Sequence, residues 1–323
     1  MALGSNHVTT TTAATFIPEL WSDEVIAVYE KSLKMAPLVR KMPMSGKKGD
    51  KIHIPMPNRG EASAKAASTQ VTLIAATETE LTVDINRHFE YSRLIEDIVN
   101  VQALSSLRQF YTSDAGYALA KRVDTDLLNC GTGFGSGTLN LAPANTGADW
   151  DSNTNVKSVD GANGLIAYAM DDVAVTDLFT EKAFREAIKI LDDADVPMDG
   201  RSFVIPPAVR KAMLGMTNFI SSDFVSGKPT ETGFIGTIWG VDIYVSTNCP
   251  VIEAAAQNSA SAVDTRGCLL FHRDAIVHAE QMAVRSQTQY KQEYLSDLYT
   301  ADCLYGVQVY RPEAGVVIAV PDA

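Results

Sequence analysis

The chain has 323 residues, 46% of them hydrophobic and 20% charged, enough apolar material for a packed core and far from the composition of a disordered chain. Its formal charge of -12 and pI of about 4.9 argue against a protein that grips nucleic acid by neutralising phosphates. Cys130, Cys249, Cys268 and Cys303 form no C-x-x-C pair and read as reduced, mostly buried thiols. No apolar run of about 18 residues predicts a membrane span, and no basic-then-apolar start predicts a signal peptide. A reducing, aqueous compartment is expected.

Residues 1–15 read as a polar tail, and Pro18 to Tyr29 as a short amphipathic helix with Leu20, Trp21, Val25 and Val28 at helical spacing. Pro37 and Pro43 interrupt regular structure. A turn at Ser45 to Gly49 leads into a strand from Lys51 to Ile54 that ends at Pro55. An exposed small-residue loop follows, and Val71 to Ile74 is expected as the returning strand. Leu81 to Tyr91 reads as one strand of roughly 37 Å, with Leu81, Val83, Ile85, Phe89 and Tyr91 on one face.

Val101 to Asn129 is the clearest helix, about 43 Å long, with Leu104, Leu107, Tyr111, Ala115, Ala118, Val123 and Leu127 near one stripe and only Gly116 weakening it. Gly131, Gly133, Gly135 and Gly137 end it and read as a flexible hinge. Residues 138–165 read as loop. Thr180 is expected to cap a helix through Asp193, with Phe184, Ala187, Ile188 and Leu191 inward. A short buried strand at Ser202 to Ile205 precedes a helix opened by Pro206 and Pro207 and closing near Leu214. Two strands meet at Gly240 within Gly236 to Ser246, and a loop covers Ser246 to Ser261. Strands are expected at Leu269 to Phe271, Ala283 to Tyr290, Asp302 to Tyr310 and Val316 to Val320.

The chemistry-bearing motifs are weak. There is no phosphate-binding G-x-x-x-x-G-K-[ST], no G-x-S-x-G and no H-E-x-x-H. The run of glycines follows a helix rather than a strand, so no helix N-terminus faces it. His272 and His278 lie six apart, which is no metal spacing. No catalytic or cofactor-binding residue is assigned. Asp149, Asp151, Asn153, Asn155 and Asp160 place oxygen ligands as a calcium loop does. Thr154, however, stands where that loop needs glycine, so these five are a weak metal candidate beside the reading as a polar turn. Lys47, Lys48, Lys51, Arg59 and Lys65 gather positive charge on the hairpin. In an otherwise acidic chain they are candidates for contact with another copy, beside the reading as a solvated face.

Three segments carry a resemblance: the hairpin around Lys47 to Ile74, the helix closing on Val123 to Asn129, and Gly236 to Asn248 together with Leu304 to Glu313. In their order they resemble the major capsid proteins of tailed bacteriophages, of the Hong Kong 97-type fold. The resemblance implies an α+β fold with an N-terminal arm (1–42), an extended β-hairpin loop (43–80), a peripheral lobe with a long spine helix (81–135 and 283–323), an insertion loop (136–171) and an axial lobe (172–282).

It implies a non-enzymatic virion protein that self-assembles, as hexamers and pentamers, into an icosahedral head shell around double-stranded DNA. Assembly would take place in the host cytoplasm. Implied partners are a separate scaffolding protein, a portal protein at one vertex, possible cement or decoration proteins, and DNA held without sequence-specific binding. No membrane and no cofactor are implied. The isopeptide cross-link of some relatives is not carried over, because no matching Asn and Glu stand out. An encapsulin-type nanocompartment shell shares the fold and is the alternative; an enzyme with a non-standard active site and a calcium-dependent surface protein are the readings from other classes.

Overall fold

The computed structural model describes residues 34–44, 49–57, 60, 62, 64–71, 73, 78–96, 105–142, 147–151, 153–170, 173–216, 236–254 and 264–322. The expected helix from Pro18 to Tyr29 lies outside the described residues. In chain order come β1 (Arg40–Pro43), β2 (Lys51–Pro57), β3 (Glu78–Asp84), β4 (Arg87–Glu96) and α1 (Ser105–Asn129). A 3-10 turn at Cys130–Gly133 leads to α2 (Gly147–Asp151), β5 (Val156–Asp160), β6 (Gly164–Ala167), α3 (Glu181–Asp193), β7 (Arg201–Ile205) and α4 (Pro207–Leu214). The chain finishes with β8 (Thr237–Ile238), β9 (Val241–Val245), β10 (Val251–Glu253), β11 (Thr265–His272), β12 (Ile276–Lys291), β13 (Ser296–Val309) and β14 (Gly315–Pro321).

An eight-stranded mixed sheet forms the middle layer, in the order β6-β5-β14-β11-β7-β9-β8 with β10 beside β11. Its central strands are near-continuous apolar runs because both faces are covered. Alternation decides which side chain goes where. Val204, Leu269, Phe271, Val317 and Ala319 join the core shared with α1, Trp150 and Tyr305. Phe203, Ile205, Cys268, Leu270, Val316, Ile318 and Val320 face the other way, onto Phe184, Ala187 and Leu191 of α3 and Val209 and Met213 of α4. Thr180 caps α3, its hydroxyl accepting from the Ala183 N–H at 3.3 Å, an interaction that contributes about 1 kcal/mol.

A second, four-stranded sheet has the order β1-β12-β13-β4. Its long hairpin, 16 residues of β12 against 14 of β13, spans about 50 Å at its longer strand. A two-stranded hairpin, β2 with β3, stands apart. Its apolar cross-strand pairs are Ile52↔Val83 and Ile54↔Leu81, and Ile52, Ile54 and Val83 pack at the root with Met44, Ile85, Val277 and Ala279.

The helices of the second half, the strands at 201–205, 237–245 and 265–272, and the long C-terminal strands agree with the sequence reading. Several expectations change, among them the loop from Ser246 to Ser261, which contains β10 beside β11. The run from Leu81 to Tyr91 is two strands: the chain leaves one sheet at Ile85 and enters another at Arg87. The return strand of the hairpin is therefore Glu78–Asp84 rather than Val71 to Ile74; Val71 and Leu73 are exposed outside any strand. The hairpin thus runs past residue 80.

Strand β2 continues through Pro55 to Pro57. Among the described residues it has one neighbouring strand, so prolines can turn their missing N–H to the open side. Residues 136–171 are no loop insertion, since β5 pairs with β14 and β6 with β5 inside the middle sheet. Finally, β14 belongs to that sheet, between β5 and β11, and is not a partner of β12 and β13. The expected division at 172–282 and 283–323 therefore cuts through hydrogen-bonded strands.

The glycine run is likewise a packed crossing. A Cβ at Gly137 would lie 2.1 Å from the Thr132 carbonyl oxygen, and one at Gly131 would meet Val317 at 2.8 Å and Trp150 at 3.0 Å. Close approach is what these glycines permit.

Candidate assembly surface

The β2–β3 hairpin carries its charge in cross-strand pairs. Lys51 Nζ lies 3.2 Å from Asp84, and His53 Nδ1 3.2 Å from Glu80, both in solvent. Exposed pairs of this kind contribute at most about 1 kcal/mol, but they do neutralise Lys51 within its own hairpin. Lys65 is exposed on the connecting stretch. Lys47, Lys48 and Arg59 lie outside the described residues. Over 45–84 the sequence holds five basic residues (Lys47, Lys48, Lys51, Arg59, Lys65) and five acidic ones (Asp50, Glu61, Glu78, Glu80, Asp84). Positive charge dominates the outgoing half and negative charge the return, so the hairpin is polarised rather than basic.

The far end of the β12–β13 ribbon is bare. Leu94, Tyr290, Tyr294 and Leu295 are all 45% to 65% exposed, and the residues of β12 from Ala283 to Tyr290 are almost wholly outside the core. Apolar side chains grouped at one projecting end make this surface a candidate for contact with another molecule. Behind that end, Asp302 clamps three strands. Arg285 donates to both of its oxygens, at 2.7 and 2.9 Å, and His88 Nε2 lies 3.1 Å away. The Arg285 bonds, with the help of His88, hold the Asp302 carboxyl below the usual carboxylate range.

A third surface lies over α3 and α4. Leu178 and Met198 are exposed there, and Trp239, half-exposed, stacks on Phe184 at 5.5 Å. A groove of about 500 Å³ runs between Leu178, Phe179, Ala208, Ala212 and Met216.

Deeper in, α1 brings two buried carboxylates to the junction of the layers. Asp126 accepts from Tyr305 Oη at 2.8 Å and pairs with Arg122 at 2.9 Å; burial pushes its carboxyl up against these bonds. Two residues earlier on the same helix, Asp124 Oδ1 accepts from the Lys34 and Met35 N–H groups at 3.0 and 2.9 Å, and its Oδ2 from Asn248 Nδ2 at 2.9 Å. The sequence pointed to the acidic close of this helix as part of a resemblance but not to these partners, which come from 90 and 124 residues away.

Of the five residues of the weak metal candidate, three make other hydrogen bonds. Asn153 Nδ2 donates to the Gly131 and Thr132 carbonyls, Asn155 Nδ2 donates to the Gly315 carbonyl, and Asp160 accepts from Ala162 N, Asn163 N and Asn163 Nδ2 in a turn. Asp149 and Asp151 sit on α2. Among the described residues no three His, Cys, Asp or Glu are grouped to hold a metal ion. Nor, among them, is any helix long and apolar enough to cross a membrane. His272 Nδ1 accepts from the Asp274 N–H, and His278 is buried beside Tyr305. All four cysteines are buried and unpaired with one another.

The profile of a family described as phage capsid protein matches residues 14–320. Among solved structures, one from Mycobacterium phage Che8 is 24% identical with a TM-score of 0.70, over 94% of this chain and 97% of its own. The capsid of cyanophage P-SCSP1u is 20% identical with a TM-score of 0.72, over 99% and 97%. The capsid of cyanophage Pam1 is 13% identical with a TM-score of 0.71, over 99% and 100%. No curated protein matches the chain.

Proposed function

The chain belongs to the phage capsid protein family, and from that premise we propose how it builds a shell. It is a major capsid protein: copies associate with one another to form the head of a tailed bacteriophage, and its role is structural. We propose that the copies group as hexamers and pentamers in an icosahedral lattice, assembled in the host cytoplasm on a separate scaffolding protein around a portal vertex. Packaged double-stranded DNA would be enclosed by the acidic wall without sequence-specific contact, leaving loading and release unhindered. No reaction is assigned to the chain.

The observation that carries this reading is the projecting architecture. A subunit that worked alone would not hold out a two-stranded hairpin and the bare end of a roughly 50 Å ribbon. In a shell, both become buried between neighbours. We propose a peripheral lobe built on α1 and the four-stranded sheet, and an axial lobe built on the middle sheet with α3 and α4. The polarised hairpin then meets a neighbour through complementary halves.

Co-expression with a candidate scaffolding protein, followed by sedimentation, tests the reading. Fast-sedimenting closed particles support it, and a stable monomer under every condition contradicts it. Charge reversal at Lys47 and Lys48 should lower particle yield while the subunit still folds. Wild-type yield from that variant would remove the electrostatic role of the hairpin.

A further inference from the structure

We propose that Asp124 is the positioning residue of the N-terminal arm: its single carboxylate fixes the point at which the arm leaves the plate and ties that point to the opposite lobe. This inference rests on the shell-building reading above. The geometry is specific. Two successive backbone N–H groups, of Lys34 and Met35, converge on one carboxylate oxygen at 3.0 and 2.9 Å. Consecutive N–H groups can share an acceptor only when the backbone runs in one local direction, so the carboxylate sets a heading as well as a position.

The other oxygen takes the Asn248 amide at 2.9 Å, and that same amide reaches Thr125 Oγ1 at 3.1 Å. Asn248 follows β9 of the middle sheet, and its neighbour Cys249 joins the core shared with α1. Three chain segments, centred on residues 34, 124 and 248, therefore meet on one side chain that is 2% exposed.

Downstream of the latch the arm is committed. Met35 and Val39 are fully buried, the Leu38 N–H turns back to the Met35 carbonyl at 2.9 Å, and β1 then pairs in parallel with β12 from Arg40↔Val277 to Pro43↔Glu280. The arm is thus pinned at two places, and Asp124 also holds Asn248 beyond β9. Hydrogen bonds to an ionised acceptor are about twice as strong as neutral ones, and a buried one left unmade is costly. An apolar residue at 124 could fill the space but could not direct the arm.

The asymmetry of the pair gives the test. In Asp124→Asn the oxygen can still take the two N–H groups, but its new amide then faces the Asn248 amide, donor against donor. Adding Asn248→Asp exchanges donor and acceptor and restores the bond between the two side chains; the Thr125 hydroxyl, which donates to the Lys121 carbonyl at 2.9 Å, loses only the amide it accepted from. Three readouts separate positioning from bulk stability: tryptic cleavage at the Lys34–Met35 bond, particle size and closure by electron microscopy, and the thermal transition of the subunit.

Asp124→Asn is expected to raise cleavage at Lys34 by about tenfold or more and to give open or mis-sized particles. The double variant should return both to wild type. Wild-type cleavage and normal particles from Asp124→Asn overturn the proposal, as does a double variant no better than the single one. If Asp124→Asn does not fold, the double variant decides alone: closed particles with wild-type cleavage support the latch, and misfolding overturns it. Absence of particles from the wild-type chain itself would instead count against the shell-building reading.

Discussion

Gly306 offers a sharp test of how the hairpin is rooted. It lies on β13 opposite Ala279, beneath the point where the chain passes from β3 to β4. A Cβ there would sit 2.4 Å from the Asp84 carbonyl oxygen, 3.1 Å from the Asp84 carbonyl carbon and 3.2 Å from Ile85 Cα. An ordinary carbon–oxygen contact is about 3.3 Å, so the backbone would have to retreat by roughly 0.9 Å on that scale. These are backbone atoms held by a strand on each side, and the Ile85 N–H is itself bonded to the Asp50 carbonyl at 2.8 Å.

Overpacking of this kind costs about 1–3 kcal/mol, and the upper part of that range is expected for Gly306→Ala. The matched control is Gly116→Ala. It adds the same methyl group in the interior of α1, where a Cβ meets nothing within 4 Å, and should stabilise by up to about 1 kcal/mol through helix propensity. The two variants should therefore move the denaturant midpoint in opposite directions, with Gly306→Ala the larger effect. Gly306→Ala should also impair particle closure because it displaces the hairpin root. Equal or greater stability for Gly306→Ala would refute the close approach between β13 and the β3–β4 corner.

Acid should weaken the four-stranded sheet through His278. It lies on β12 opposite Lys41 of β1, its buried ring 5.6 Å from that of Tyr305 and with Glu280 nearby, and burial holds its pKa below the ordinary 6.5. The unfolded chain takes up its proton first, so this contribution is intact above pH 6.5 and declines as the pH falls below it. Among the described residues Nε2 has no hydrogen-bond partner, so His278→Leu should leave stability at pH 7.5 unchanged or raised and flatten the loss of melting temperature down to about pH 5. An unchanged slope would exclude His278 as its source. The thiols should be inert in the folded subunit: burial raises all four, Cys249 to about 12 and Cys130, Cys268 and Cys303 also upward. A thiol reagent at pH 8 should titrate four groups per chain in denaturant and essentially none before it; one fast native thiol would contradict the packing.

The legible parts of the fold were those where one local signal sufficed. Thr180 with Phe184, Ala187 and Leu191 marks a capped amphipathic helix, and the runs at 201–205 and 268–271 are apolar enough for doubly covered strands. The other elements depended on distant partners. Leu81, Val83, Ile85, Phe89 and Tyr91 keep period two across the break at Asn86, so the change of sheet leaves no mark on the pattern. Val71 to Ile74 looks more like a strand than Glu78 to Glu80 does, yet the register that sets Val83 on Ile52 and Leu81 on Ile54 selects the latter. β5 escaped notice because it buries Ser158 beside Val156 and Val159.

The assembly surface was half legible for a related reason. Counting lysines on the hairpin found its basic half, while its acid half is spread over a strand assigned elsewhere. Of the Asp124 junction the sequence showed the acidic close of the helix but not the bonds, because Lys34, Met35 and Asn248 reach it only through the tertiary fold.

The most direct measurement is a reconstruction of purified particles by electron cryo-microscopy. Closed icosahedral shells are predicted, with the β2–β3 hairpin and the Tyr290, Tyr294 and Leu295 end of the ribbon both buried against neighbouring copies. Closed shells in which both remain exposed to solvent, or a chain that yields no closed shell, would contradict the account.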